Sequence, residues 1–349
     1  MRIARIFEYE SRLFSAFSLS PLVLTALIFS TTQSAFAHGV KTTGHNAREQ
    51  AALTRLWDML ISPARAAMNS RIADGMRFIT ADGLPDHATG EFPNRSNPNR
   101  IAKQNYEFRM PLQPRRTGSL VDLRRNMAFG VAINGVVFDP WTAEFWNNEP
   151  RSGYAYEALT GPYPLGLDRN NAHVQPDGAY HYHSVPVGIV ERLAGRNTPS
   201  LIGYAADGFP IYGPMGYRDA KNAASGLIEL RSGYRLKTGQ RSGGPGGVPN
   251  GEFAQDYEHV ESAGGLDVCN GREGVTPEYP EGTYYYVTTQ NFPYIPRCFV
   301  GSPDQSFVKA PPPFGKGPPR GPPKEGFKGV PPKDGFKDGP PFDKKPLPF

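Results

Sequence analysis

The sequence DRNNAHVQPDGAYHYH, residues 168–183, contains the segment from which the fold is most readily inferred. Its last five residues, 179–183, alternate aromatic residues with histidines, which favours a short β-strand. Successive side chains of a strand point to opposite faces. We therefore expect His181 and His183 to share one face of a sheet, and Tyr180 and Tyr182 to share the other.

The same strand-like texture extends through residues 76–300. Short runs rich in Val, Ile, Tyr and Phe alternate with clusters of Gly, Pro, Asn and Asp, and about 225 residues can bury a core of their own. Asn134-Gly135 lies between two runs and predicts a two-residue hairpin turn in which both residues take positive φ. The prediction is a mainly β, sandwich- or barrel-like domain with long loops. The predicted strands are 76–80, 105–110, 129–133, 136–138, 179–183, 201–205 and 283–289.

The start of the chain has the features of a secretory signal. Three arginines flank or precede the apolar stretch 13–28, and Ala-Phe-Ala at 35–37 has the small-residue pattern that a signal peptidase recognises. We expect residues 1–37 to be a signal peptide, the mature chain to begin at His38, and the protein to be exported to the periplasm or secreted. The apolar stretch is too short and too broken by serine for a membrane span.

Two segments flank the predicted β domain. Apolar residues at helical spacing predict a helix over 46–67 within an N-terminal helical segment, 38–75. Residues 301–349 are dominated by Pro, Gly, Lys and Phe and contain a near-repeat, PPKEGFKGV followed by PPKDGFK. This composition predicts a disordered tail with polyproline II character. The tail is either a solvated spacer or a tether that binds an acidic envelope surface or a protein partner.

Charge is concentrated at the ends of the chain. Of the formal net charge of +5, residues 1–37 carry +1 and residues 304–349 carry +4, so the body between them is neutral. A neutral body gives no support for a nucleic-acid-binding surface, which needs basic residues on the folded domain. No Walker A, G-x-S-x-G or H-E-x-x-H motif occurs, so nucleotide-binding, serine-hydrolase and zinc-protease functions have no support.

The chain has two cysteines, Cys269 and Cys298. In an oxidising compartment a disulfide between them is favoured, and its closed loop would stabilise the fold by about 3–4 kcal/mol. Two unrelated buried thiols are the alternative. A redox-active or metal-binding pair is disfavoured because C-x-x-C spacing is absent.

Two imidazoles on one strand face, about 7 Å apart along the strand, can bind one metal ion, since neutral imidazole nitrogens suit zinc or copper. The alternative is a strand whose histidines are hydrogen-bonded within the core. Asp207, which precedes a glycine, is either a ligand or a turn residue that bonds its own backbone. The predicted ligands are His181 and His183, with His173, His87 or Asp207 completing the set. The predicted pocket residues, which could donate hydrogen bonds to the ligands, are Tyr180, Tyr182 and Tyr212.

YHYH at 180–183, followed by GYAADGFPIYG at 203–213, closely resembles the YHYH domain family of exported bacterial proteins. The resemblance covers most of residues 76–300. It implies export and the domain boundaries, but it implies no particular reaction. The other matching segments are DGLPDH at 82–87, FPN at 92–94, LDVCNGR at 266–272 and PEYPEGTY at 277–284.

Three functions are consistent with these features. The first is a metal-binding domain, with or without catalytic activity. The second is a non-enzymatic surface or envelope module whose Tyr- and Gly-rich loops bind glycans or proteins. The third is a copper site at the new N-terminus, where the amine and ring of His38 would chelate the ion.

Overall fold

The structure is a computed structural model that describes residues 68–261 and 265–309. This part of the chain is mainly β, as predicted, and all the strands predicted from the sequence overlap observed ones. The signal segment, His38, the helix predicted for 46–67 and most of the Pro-rich tail lie outside the described residues. The strands are β1 (Met68–Ala73), β2 (Met76–Ala81), β3 (Tyr106–Pro111), β4 (Val121–Asp122), β5 (Gly130–Ala132), β6 (Val137–Phe138), β7 (Ala172–Val174), β8 (Tyr180–Tyr182), β9 (Leu201–Ala205), β10 (Pro210–Tyr212), β11 (Met215–Tyr217), β12 (Leu227–Glu229), β13 (Tyr234–Leu236), β14 (Tyr257–His259), β15 (Gly271–Thr276), β16 (Tyr279–Val287) and β17 (Cys298–Phe299).

Helical structure is sparse in the described residues. One α-helix, α1 (Val187–Leu193), follows β8 and buries Ile189 and Val190. No helix in this part of the chain is both long and apolar enough to cross a membrane. The 3-10 helices are Trp146–Asn148, Pro150–Ser152, Ala254–Asp256 and Gln305–Phe307.

Eight strands form one mixed sheet, in the order β15-β16-β10-β9-β5-β6-β8-β7. β8 lies between β7, with which it pairs antiparallel, and β6, with which it pairs parallel. β6 precedes β7 and β8 by more than thirty residues in the chain, so the sheet brings together groups that are distant in sequence. The smaller sheets are β1-β2-β3, β11-β12, β13-β14 and β17-β4.

The folded region begins upstream of the predicted boundary at Met76. β1 lies within the segment 38–75, which the sequence predicts to be helical, and pairs with β2 along its whole length. Asp74 and Gly75 form the connection, with φ of 52° and 70°. Asp-Gly is a typical sequence for a two-residue hairpin turn because both positions need positive φ, so the signal for this strand was present in the sequence.

The hairpin predicted at Asn134-Gly135 is present but has a different turn. β5 and β6 pair antiparallel, and the N–H of Gly135 donates to the carbonyl of Ala132 at 2.9 Å. Gly135 has φ of 85°, whereas Asn134 does not take positive φ. The connection is therefore a type I turn that ends in a residue, Gly135, with the left-handed conformation. The Asn134 side chain is thereby free to bond a residue of β8, Tyr182.

The folded region also continues beyond residue 300. Phe307 is buried and stacks on Phe108 with ring centroids 4.4 Å apart, and Val308 forms a β-bridge with Met127. Lys309 donates its backbone N–H to a carbonyl of the same neighbouring segment. Part of the segment predicted as tail is therefore packed on the domain.

Cys269 and Cys298 form a disulfide, with Cα atoms 5.2 Å apart, as the sequence predicts. The bond joins β17 to the segment that leads into β15, at an edge of the main sheet. Closing this loop stabilises the fold by about 3–4 kcal/mol on the chain-entropy argument.

Candidate metal centre

Three histidines meet on one face of the β7–β8 hairpin. His173 in β7 lies directly opposite His181 in β8, and His183 follows β8 by one residue. The three ring centroids are 4.6–4.8 Å apart. His181 and His183 are 2% and 1% exposed, whereas His173 is half-buried. The cluster therefore reaches solvent through His173.

The rings approach one another through the same nitrogen. Nε2 of His183 lies 3.0 Å from Nε2 of His181 and 3.1 Å from Nε2 of His173. Nδ1 of His173 is 2.8 Å from the carbonyl oxygen of Leu165, and Nδ1 of His181 is 3.1 Å from that of Ala179. A carbonyl oxygen only accepts hydrogen bonds, so these contacts favour a hydrogen on each Nδ1 and a lone pair on each Nε2. For His173, Nδ2 of Asn97 also lies 3.2 Å from Nδ1, but this amide already donates to the carbonyl of Val174 at 2.9 Å, and the contact with Leu165 is the shorter one.

Hydrogen bonds within the cluster cannot satisfy this arrangement. A hydrogen on Nε2 of His183 can be donated to only one of the two lone pairs, and Nδ1 of His183 is buried without a partner. A divalent cation between the three Nε2 atoms would accept a lone pair from each of them. Metal–nitrogen bonds of about 2.0–2.1 Å that meet at about 95–100° give the two distances from Nε2 of His183 to its neighbours, and the ligand atoms of all three histidines lie within 4.8 Å of one another. The residues therefore fit a metal ion.

The electrostatic environment keeps these rings neutral. Burial lowers the pKa of His173, and it lowers the pKa values of His181 and His183 well below the usual value. Mutual repulsion within the cluster and the positive charge of Lys309 lower the last two further. Neutral imidazole is the form that binds metals.

The opposite face of β8 has a different chemistry. The Tyr182 hydroxyl donates to Nε2 of His87 at 2.5 Å and accepts from Nδ2 of Asn134 at 2.9 Å. The Tyr180 hydroxyl donates to Oδ2 of Asp168 at 2.7 Å. Burial lowers the pKa of His87. The structure thus places His87 with the two tyrosines, behind the strand, and not with the other three histidines.

Asp207 lies in the turn between β9 and β10, and Tyr212 lies at the end of β10. Oδ2 of Asp207 accepts from the Tyr286 hydroxyl at 2.6 Å and from the N–H of Gly301 at 3.0 Å, and burial raises its pKa to about 6. The Tyr212 hydroxyl donates to Oε2 of Glu278 at 2.6 Å. Among the described residues, the potential ligand atoms that lie within 4.8 Å of one another belong to the three histidines. Neither Asp207 nor Tyr212 is part of this group.

Sequence reasoning missed three polar residues beside the cluster. Asp139 follows β6, and its carboxylate accepts hydrogen bonds from Gln175 and Lys309. Gln175 lies two residues after His173, so the alternation of side chains along β7 could have placed it on the same face. The pairing of β6 with β8 and the return of Lys309 have no local sequence signal.

A buried ion pair lies near the cluster on the side of His183. Arg297 donates to Oε2 of Glu157 at 2.6 Å, and both side chains are at least nine-tenths buried. Oε1 of Glu157 and Nε of Arg297 have no partner. The guanidinium groups of Arg297 and Arg125 lie 4.5 and 4.4 Å from the centroid of the Trp141 ring. The charge of Arg297 adds to the lowering of the pKa of His183.

The fold and the site define a mainly β domain with a cluster of three histidines on one hairpin. The family model described as YHYH protein matches residues 107–301, more than half of the chain, and the chain belongs to this family. The match includes the three histidines, Asp139 and both cysteines, whereas β1, β2, His87 and Lys309 lie outside it. No curated protein and no solved structure matches the chain.

Proposed function

We propose that this chain is an exported protein whose β domain binds one divalent transition-metal ion through Nε2 of His173, His181 and His183. The observation that carries the proposal is the convergence of three Nε2 atoms, two of which present lone pairs because their Nδ1 atoms donate to carbonyl oxygens. Without a cation between them, lone pairs of neighbouring Nε2 atoms would repel one another in this buried site.

Zinc or copper fits the donor set best. Three neutral imidazole nitrogens suit both ions, and three histidines with one open position form a recognised type of zinc site. The carbonyl groups of Leu165 and Ala179 would fix the orientation of two of the rings, which is the role of the outer partners of metal-bound histidines.

Export is supported by the arginine-led apolar stretch, the Ala-Phe-Ala sequence at 35–37 and the disulfide. We propose that residues 1–37 are removed as a signal peptide and that the β domain begins near Met68 and ends near Lys309. The rest of the C-terminal segment would then be a spacer or a basic tether for an acidic envelope surface.

The test is elemental analysis of the untagged mature chain, residues 38–349, after incubation with zinc or copper and removal of unbound metal. We expect about one metal ion per chain in the parent and none in the His181→Ala/His183→Ala double variant. His259→Ala is the matched control, since His259 is half-buried and bonds a backbone carbonyl of another loop. Circular dichroism would show that each variant is folded.

Other outcomes separate the alternatives. No bound metal in the folded parent would overturn the proposal and favour a non-enzymatic surface or envelope module. Copper that survives the double variant but is lost in His38→Ala would assign the site to the mature N-terminus. Metal that remains bound in both cases would show that other residues hold it.

A further inference from the structure

The carboxyl group of Asp139 lies on the same sheet face as the three histidines. β6 pairs with β8 in parallel, with Val137 beside His181. The N–H of Asp139 donates to the carbonyl of Tyr182 at 2.9 Å, which continues the pairing and brings Asp139 beside His183. Adjacent strands are about 5 Å apart, and paired residues point to the same face. The Asp139 side chain is therefore a neighbour of the His183 ring.

The two oxygens of this carboxylate have different environments. Oδ2 accepts from Nε2 of Gln175 at 3.1 Å and from Nζ of Lys309 at 2.5 Å. Oδ1 is buried and no group forms a well-aligned hydrogen bond with it, although the backbone N–H of Trp141 lies close enough to the carboxylate to lower its pKa. Asp139 is only 1% exposed. Buried polar atoms in folded proteins nearly always have a partner. A hydrogen-bond donor is therefore missing at Oδ1, on the histidine side of the sheet.

The surrounding charges agree with this placement. Lys309 lies close enough to His181 and His183 to lower their pKa values, and Asp139 lies close enough to His173 to raise its pKa. Burial raises the pKa of Asp139, but the ammonium group of Lys309 favours its ionised form. The ion pair between Nζ of Lys309 and Oδ2 is formed by the ionised carboxylate, whose other oxygen is an acceptor.

We propose that the fourth position of the metal centre takes a ligand that carries a hydrogen on its ligating atom, and that this hydrogen is donated to Oδ1 of Asp139. This inference rests on the proposed metal centre and names the class of ligand for its open position. Water and hydroxide belong to this class, as does a nitrogen anion that keeps an N–H. An anion that offers only lone pairs, such as azide, would be repelled by the carboxylate oxygen.

Asp139→Asn reverses the hydrogen-bonding character of this position. Lys309 and Gln175 both donate to the site of Oδ2, so the amide oxygen of the new side chain is favoured there. The amide NH₂ group then occupies the place of Oδ1 and presents a donor where the parent presents an acceptor. The variant should accept azide and disfavour a ligand that carries an N–H.

The experiment compares two nitrogen ligands on the cobalt(II)-loaded mature chain. Azide and trifluoromethanesulfonamide both bind as singly charged nitrogen anions, but only the sulfonamide nitrogen keeps a hydrogen. Their Kd values would be measured from the visible cobalt bands at a fixed pH near 7.5. Because the charges are equal, the ratio of the two Kd values isolates the hydrogen bond.

We expect Asp139→Asn to weaken the sulfonamide about tenfold and to tighten azide about tenfold, so that the ratio of Kd values changes about 100-fold. Asp207→Asn, a change at an equally buried carboxylate in the turn between β9 and β10, should leave the ratio within twofold of the parent. If Asp139→Asn does not fold, Asp139→Ala serves instead, because Lys309 is 32% exposed and can turn into solvent. The alanine variant should change the ratio at least about tenfold.

The outcomes distinguish the two proposals. A parent that binds one cobalt ion, with a ratio that is the same in the Asp139 variants, would overturn the role of Asp139 and leave the metal centre intact. A parent that binds no cobalt, zinc or copper would overturn both proposals. Loss of cobalt in Asp139→Asn or Asp139→Ala, with the fold retained, would show that Asp139 is itself a ligand and would overturn the assignment of Oδ1 as an acceptor.

Discussion

The two faces of strand β8 differ in how their polar groups are satisfied. Behind the strand, the hydroxyls of Tyr180 and Tyr182 bond Asp168, His87 and Asn134. In front of it, Nε2 atoms face one another, and Nδ1 of His183 and Oδ1 of Asp139 have no partner. The same four-residue sequence thus makes a closed structural network on one face and an incomplete polar site on the other. The incomplete face is the one for which we propose a ligand.

The largest expected effect tests this difference directly. We expect His183→Ala to weaken zinc binding at least about 1,000-fold, because it removes a ligand of the centre. The counterpart behind the strand, His87→Ala, should leave zinc affinity within about threefold of the parent. Competition with a chromophoric chelator would measure both affinities. Similar losses in the two variants would contradict the distinction between the faces.

The pH dependence of stability provides a second test. His181 and His183 have pKa values well below 6.5 when folded and near 6.5 when unfolded. Above pH 6.5 the two histidines are mostly neutral in both states and have little effect on the free energy of unfolding. Below pH 6.5 the unfolded chain binds more protons than the folded one, so the free energy of unfolding falls. Between pH 6.5 and 5.5 this loss should be at most about 2 kcal/mol for the two histidines in the metal-free protein.

The measurement compares urea unfolding of the metal-free parent with that of His181→Gln/His183→Gln at both pH values. The difference between the two proteins is needed because burial raises the pKa values of Asp139, Glu157 and Asp207, and such carboxyl groups stabilise the fold as the pH falls. We expect the parent to lose more stability than the variant. Equal losses would mean that the histidines are not buried in the neutral form.

Tyr182→Phe should have a smaller effect, confined to stability. The change leaves Nε2 of His87 and the amide of Asn134 without this partner in a buried site, so we expect a loss of about 1–3 kcal/mol in the free energy of unfolding. Zinc stoichiometry should stay at the parent value. Denaturant unfolding and elemental analysis of the same preparation would test both statements, and a loss of metal would show that the two faces are coupled.

Tyr180→Phe should have the smallest effect. Oδ2 of Asp168 keeps the N–H of Gly90 as a donor at 3.0 Å, so one hydrogen bond is lost without leaving the carboxylate oxygen unpaired. We expect a loss of about 0.5–1.5 kcal/mol in the free energy of unfolding. A loss larger than that of Tyr182→Phe would reverse the order of the two tyrosines.

Local patterns in the sequence predicted the parts of the structure that depend on near neighbours. The alternation of side chains placed His181 and His183 together, and their short separation from His173 made it a candidate. The typical hairpin sequence Asp74-Gly75 holds the same kind of information, although the apolar spacing in the segment before it predicts a helix. The disulfide followed from the presence of only two cysteines.

Other features depend on pairing between distant segments, which no local pattern encodes. Asp139 reaches the histidines because β6 pairs in parallel with β8. The composition of residues 301–349 predicts that Lys309 belongs to the tail, yet Lys309 packs against Asp139. His87 and Asp207 have the residue types of ligands, but each lies in a connection between strands and has hydrogen-bond partners away from the three histidines. Residue type alone therefore could not separate ligands from core hydrogen-bonding groups.

The separation of these groups along the chain has a consequence for folding. His173 and His183 are ten residues apart, whereas Lys309 joins Asp139 across 170 residues. A hairpin closes in about 1–10 μs, and contacts between distant segments form much more slowly in β-rich domains. During folding, the three imidazoles therefore come together before Lys309 reaches Asp139. If the cluster binds an ion as proposed, its capture and the completion of its fourth position would be separate events in time.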